Sequence, residues 1–156
     1  MSLETKQSLS EATVKKLQKL IRANIDSYDG FRESAEELSD KKLATLFREI
    51  ANERSALATE LQNYVQWNGE EAEDDGSASA GVHRAWINVR SKLNGGDPYV
   101  ILIEAERGED HIKNAYEEVL KDTAGSAMND VLLSQYAVVK AGHDKVRDLR
   151  DAYKNK

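Results

Sequence analysis

The chain has 156 residues, a formal charge of −6 and no cysteine. That length admits one continuous core rather than two, and the missing thiols exclude disulfide staples, thiolate zinc sites and cysteine nucleophiles. An acidic balance with no basic stripe argues against a nucleic-acid partner. No apolar run is long enough to span a bilayer, and MSLETKQ lacks the pattern of a signal peptide, so no membrane association and a cytoplasmic location are expected.

A single proline and an abundance of Ala, Leu, Glu, Lys and Arg favour helix throughout. From Ser10 to Leu38 the residues Val14, Leu17, Ile21, Ile25, Tyr28, Phe31, Ala35 and Leu38 step by three or four, which predicts one long amphipathic helix. Ser8 with Glu11 has capping-box spacing, and Ser10 is an equally good cap. Gly30 inside the run implies close packing or a local bend. Ser39 and Asp40 then give a short break and a cap for a second helix with Leu43, Phe47, Ile50, Leu57, Leu61 and Tyr64 on one face. So short a connection makes the two helices antiparallel, each arm on the order of 40 Å long. Between Ile50 and Leu57 the same spacing lands on Arg54, beside Glu53.

Residues 68–81 have no apolar period and read as an acidic flexible linker. A short crossover helix is predicted over about 79–93, with Val82, Trp86, Val89 and Leu93 on one side and His83 as a packing residue. Asp97 as N-cap and Pro98 at the first helical position start a third long helix that runs to about Asp122. Its face is Ile101, Ala105, Gly108, Ile112, Ala115 and Val119, crowded by Glu104, Glu106, Arg107, Glu109, Asp110 and His111. After a turn at Gly125 and Ser126, Val131, Gln135, Val139, Val146, Leu149 and Tyr153 mark the last helix. Two hairpins joined through a linker and a short helix make an all-α, ferritin-like four-helix bundle in a single domain over 1–156.

Carboxylate bundles hold two irons or manganeses with one glutamate on each of two helices and a Glu-x-x-His pair on each of the others. No Glu-x-x-His occurs here. Counting outward from the hairpin turns places Asn24, Glu53, Glu109, Lys140 and His143 at mid-bundle, with Ala56 where a ligand histidine belongs. Glu53, Glu109 and His143 remain as candidate metal ligands, with His111 or Glu104 in support. The other reading is a buried polar network of Asn24, Glu53, Arg54, Glu104, Arg107, Glu109, His111 and Lys140, which fixes helix register. Nucleophile elbows, phosphate loops and dinucleotide fingerprints are absent, so no catalytic residue is assigned. The tyrosines read as packing residues with polar tips.

Asp29-Gly30-Phe31 with Ala35-Glu36, Leu46-Phe47, Ala51, Glu53-Arg54, Gly76-Ser77, Gly81, His83-Arg84, Trp86 and Glu106-Arg107-Gly108-Glu109-Asp110 resemble a family of small bacterial ferritin-like four-helix proteins of unknown function. The resemblance implies the fold, a bacterial cytoplasmic setting and a link to stress physiology, and it brings no reaction. Two functions are therefore expected to compete. One is a non-enzymatic, self-associating bundle, a dimer with a possible protein partner and no cofactor. The other is an iron or manganese protein with oxidase- or peroxide-type activity.

Overall fold

The computed structural model describes residues 4–74 and 97–154. It contains four helices, which we label α1 (Glu11–Glu37), α2 (Lys41–Trp67), α3 (Pro98–Asp122) and α4 (Asn129–Tyr153). Among the described residues there is no strand, only an isolated bridge between Thr5 and Ser8. The expected crossover helix over 79–93, with His83, Arg84 and Trp86, lies outside the described residues.

Local chemistry sets where each helix begins and ends. Ser10, not Ser8, caps α1, its hydroxyl accepting from the Thr13 amide at 3.2 Å. Asp40 caps α2 by accepting from the Leu43 amide at 3.0 Å, and Asp97 caps α3 by accepting from the Tyr99 amide, with Pro98 supplying the fixed φ of the first turn. α2 stops at Asn68 and Gly69. There Gly69 takes φ +79, the Gly69 amide donates to Gln66 O and the Glu70 amide to Val65 O, a Schellman closure that only a residue at ease in the left-handed region forms cheaply.

α1 packs along α2 and α3 along α4, and α1 also lies against α3. The apolar side chains gather in two clusters at opposite ends of the helices. The first joins Phe31, Ala35 and Leu38 of the α1 end to Leu43, Phe47 and Ile50 of α2, Ile101 and Leu102 of α3 and Val146 of α4. Phe31 and Phe47 meet edge to face there, with ring centroids 5.0 Å apart. The second joins Leu17, Leu20 and Ile21 to Leu61 and Val65, Ile112, Tyr116 and Val119, and Met128, Leu132 and Val139. Because the first halves of α2 and α3 share one cluster and their second halves the other, those two helices run in the same direction. Each fully buried Leu, Ile or Phe contributes about 1.5–3 kcal/mol.

Polar clasps close both ends of the bundle. At one end the Tyr153 hydroxyl donates to Asp40 Oδ2 at 2.5 Å, tying the tail of α4 to the α1–α2 turn. At the other, Asn68 accepts from the Leu9 amide and donates to Lys6 O and Tyr64 O. Glu4 bridges further. It accepts from the Ser10 amide and the Thr13 hydroxyl with one oxygen, and from the Ala127 amide and Ser126 hydroxyl with the other. Burial alone would raise the Glu4 pKa, but these donors outweigh it and bring the carboxyl down to about 2. α4 has no side-chain cap, and Glu4 and Ser126 instead hold the amides of Ala127 and Met128 immediately before it.

A folded-state pKa lower than the unfolded value means that the clasp's contribution is complete above about pH 4.5 and lost as pH falls toward about 2. Glu4→Ala is accordingly expected to cost on the order of 1 kcal/mol at neutral pH. It should also flatten that part of the acid limb in urea unfolding followed by circular dichroism; an unchanged acid limb would contradict the assignment.

Candidate functional site

Between the two apolar clusters the buried positions turn polar. α1 contributes Asn24, Ser27 and Gly30, α2 contributes Arg54, α3 contributes Gly108 and Glu109, and α4 contributes Gly142 and His143. This layer forms the waist of the bundle. Its centre is an ion pair from which solvent is excluded: Arg54 Nη2 donates to Glu109 Oε2 at 2.5 Å, and both side chains are 0% exposed. Desolvation pushes the Glu109 pKa up, and the adjoining guanidinium pulls it back toward the charged form.

Gly142 makes room for the pair. A Cβ at that position would lie 2.8 Å from Arg54 Nη2 and 3.1 Å from Glu109 Oε2. A larger residue on α4 would have to push the pair apart or move the helix. The pair does not use every polar atom. Arg54 Nε and Nη1, Glu109 Oε1, Asn24 Oδ1 and Ser27 Oγ have no hydrogen-bond partner among the described residues.

Next to the pair runs a second polar line that touches all four helices. Asn24 Nδ2 donates to the Tyr116 hydroxyl at 2.8 Å and to Leu20 O, the Tyr116 hydroxyl donates to Gln135 Oε1 at 2.6 Å, and Gln135 Nε2 donates to Glu60 Oε1 at 2.7 Å. Burial raises the Tyr116 pKa, keeping the phenol a neutral donor.

The residues anticipated from sequence are distributed unevenly. Arg54, Glu109, Asn24, Glu104 and His143 are buried, whereas Glu53, Arg107, His111 and Lys140 are exposed. Buried Glu104 is joined by Arg107 at 3.3 Å, and Lys140 reaches Asp144 at 2.9 Å. The expected single network is thus several separate contacts. On α4 Gly142 is buried while Lys140, two residues before it, is exposed; on α2 the inward position belongs to Arg54 rather than to its neighbour Glu53. One residue of displacement rotates a side chain by about 100°. Tyr116 and Gln135 entered the sequence reading only as packing positions, yet they carry the polar line. An aromatic hydroxyl and an amide on helical core faces were the available signal.

Glu53, Glu109 and His143 are not the set that converges. Among the described residues, the carboxylate and imidazole atoms that come within 4.8 Å of one another belong to Glu106, Asp110 and His143, on the edge where α3 meets α4. His143 Nε2 lies 2.7 Å from Asp110 Oδ1, and Nδ1 lies 3.2 Å from Asp144 Oδ1.

Residues 12–122 match the family model described as a domain of unknown function, DUF2383, and the chain belongs to that family. No curated protein matches the sequence.

Two substitutions probe the waist. Gly142→Ala is expected to cost about 1–3 kcal/mol, because the added methyl lands on the buried ion pair and the pair must shift to admit it. Arg54→Met leaves Glu109 without its counter-charge and raises its pKa further, so the folded state holds a proton that the unfolded chain releases. Stability of that variant should fall as pH rises above about 4.5. Adding Glu109→Leu should restore most of the loss and remove the pH dependence, since a buried ion pair exchanged for apolar groups is often near neutral. Denaturant melts at pH 5 and pH 8 check both, and an Arg54→Met variant equally stable at the two values would contradict the pairing.

Proposed function

From family membership that brings no activity, and from the chemistry of the waist, we propose that this protein is a ferritin-like bundle used for structure and association rather than catalysis. The observation that carries the reading is the Arg54–Glu109 pair. The residues present at mid-bundle do not fit a pair of metal ions. A guanidinium holds buried Glu109 at 2.5 Å, Asn24 brings a neutral amide whose Nδ2 is bound to Leu20 O and Tyr116, and Glu53 is exposed on α2. A cation so close to Glu109 repels a dication and competes for the same oxygen.

The ferritin-like connectivity, two hairpins joined by a crossover within a single domain, is supported by the common direction of α2 and α3 and by the long stretch between Trp67 and Pro98. Self-association as a dimer is the second part of the proposal. Trp67 at 61% and Leu133 at 50% exposure favour it, because large apolar side chains left in water gain by being covered. No helix among the described residues is long and apolar enough to cross a membrane. The bacterial cytoplasm and a role in stress physiology complete the proposal, on the strength of the sequence resemblance.

Protein purified without chelator and titrated anaerobically with ferrous iron, then exposed to oxygen, tests the first part. No oxidation above the protein-free rate is expected, with the same result for Glu53→Ala and Glu109→Gln. Two equivalents of iron bound, and lost in Glu109→Gln, would replace this reading with that of an iron protein. Light scattering across a range of concentrations tests the second part: a dimer mass is expected, and a monomer throughout removes self-association.

A further inference from the structure

The α3–α4 edge carries a group of ligand-type side chains that the waist does not use. Glu106 and Asp110 stand one turn apart on α3, His143 faces them from α4, and one atom from each lies within 4.8 Å of the others. His143 is 8% exposed, while the Asp110 side chain is 55% exposed. The imidazole therefore forms the floor of the group and Asp110 its solvent side.

Both ring nitrogens of His143 face carboxylate oxygens, Nε2 toward Asp110 and Nδ1 toward Asp144. A neutral imidazole carries one N–H. On Nε2 that hydrogen is donated to Asp110 at 2.7 Å; on Nδ1 it is donated to Asp144, and the Nε2 lone pair then stands beside the Asp110 carboxylate, open to a cation. A carboxylate holding the far nitrogen of a histidine is also the usual support of a metal-binding imidazole.

We propose that Glu106, Asp110 and His143 form a single divalent-cation site at the α3–α4 edge. One imidazole nitrogen with two carboxylates suits a first-row dication such as Zn²⁺, Mn²⁺ or Fe²⁺ better than Mg²⁺ or Ca²⁺, which favour oxygen alone. Three protein ligands leave positions for water on the exposed side. Arg150 is the built-in competitor, because its guanidinium pairs with Glu106. It also holds Asp151 at 2.8 Å, so it keeps a partner when Glu106 turns to a metal. Neither the Arg54–Glu109 pair nor Glu53 belongs to this site, and the mid-bundle reading stands or falls separately.

Isothermal titration of the metal-stripped full chain with Zn²⁺, Mn²⁺ and Mg²⁺ tests the proposal. One saturable site for Zn²⁺ and Mn²⁺ is expected, with Mg²⁺ at least tenfold weaker. Asp110→Asn, on an exposed side chain, should weaken binding at least tenfold with unchanged helical circular dichroism. Arg150→Gln should tighten it by removing the rival cation, an effect that a merely structural pair would not produce. Glu71→Gln with Glu73→Gln, in the acidic stretch after α2, should leave it unchanged. The site is overturned by the absence of saturable binding, or by affinity indifferent to Asp110→Asn and Arg150→Gln.

Discussion

A guanidinium and a carboxylate withdrawn from water constrain the rest of this bundle. Taking either ion out of solvent costs several kcal/mol, and only close geometry with the other offsets that cost. Arg54 and Glu109 meet this condition across the bundle, from α2 to α3, at 2.5 Å. The consequence spreads to the neighbouring helix, since α4 must present a residue without a side chain, and Gly142 is that residue. Sliding any of the three helices by one turn would leave a charge alone in the interior. Such a pair adds little net stability, but it penalises wrong registers heavily.

The apolar clusters supply the opposite quality. Phe31, Phe47, Ile101 and Leu102 at one end, and Leu17, Leu61, Ile112 and Leu132 at the other, bury area without prescribing which turn meets which. The polar line from Asn24 through Tyr116 and Gln135 to Glu60 adds direction to that burial, because each hydrogen bond joins a different helix. At the ends, Glu4, Asn68 and the Tyr153–Asp40 contact do similar work for the turns. The fold is therefore an apolar bundle interrupted by polar groups at the levels where alignment has to be decided.

That arrangement also separates two chemistries. The waist is occupied by charges that neutralise each other, whereas the α3–α4 edge gathers Glu106, Asp110, Asp144 and His143. Glu109 and Asp110 are consecutive residues, yet one is buried in the pair and the other faces solvent. A helix turns about 100° per residue, so adjacent carboxylates take different environments and different roles.

Periodicity in the sequence was enough to determine the four described helices and the starts of three of them: Ser10, Asp40 and Asp97 as caps, Pro98 at the first turn, and apolar spacing that continues from cap to turn. Those signals are local, depending on residues three or four apart, and the chain carries them wherever it lies. The sequence also marked mid-bundle as charged. Which of two adjacent residues points inward was not local. On α1 the spacing ran through Ile25 and Tyr28, while packing selected Asn24, Ser27 and Gly30, small or polar residues that let α2 and α3 approach. On α2 the spacing had already landed on Arg54, and packing supplied what spacing could not, the buried carboxylate across the bundle that it meets. The convergence of Glu106 and Asp110 with His143, residues 33 apart between Asp110 and His143, exists only once α3 and α4 are side by side. Side-chain partners on different helices are a property of the assembled packing, and there the tertiary structure alone decided.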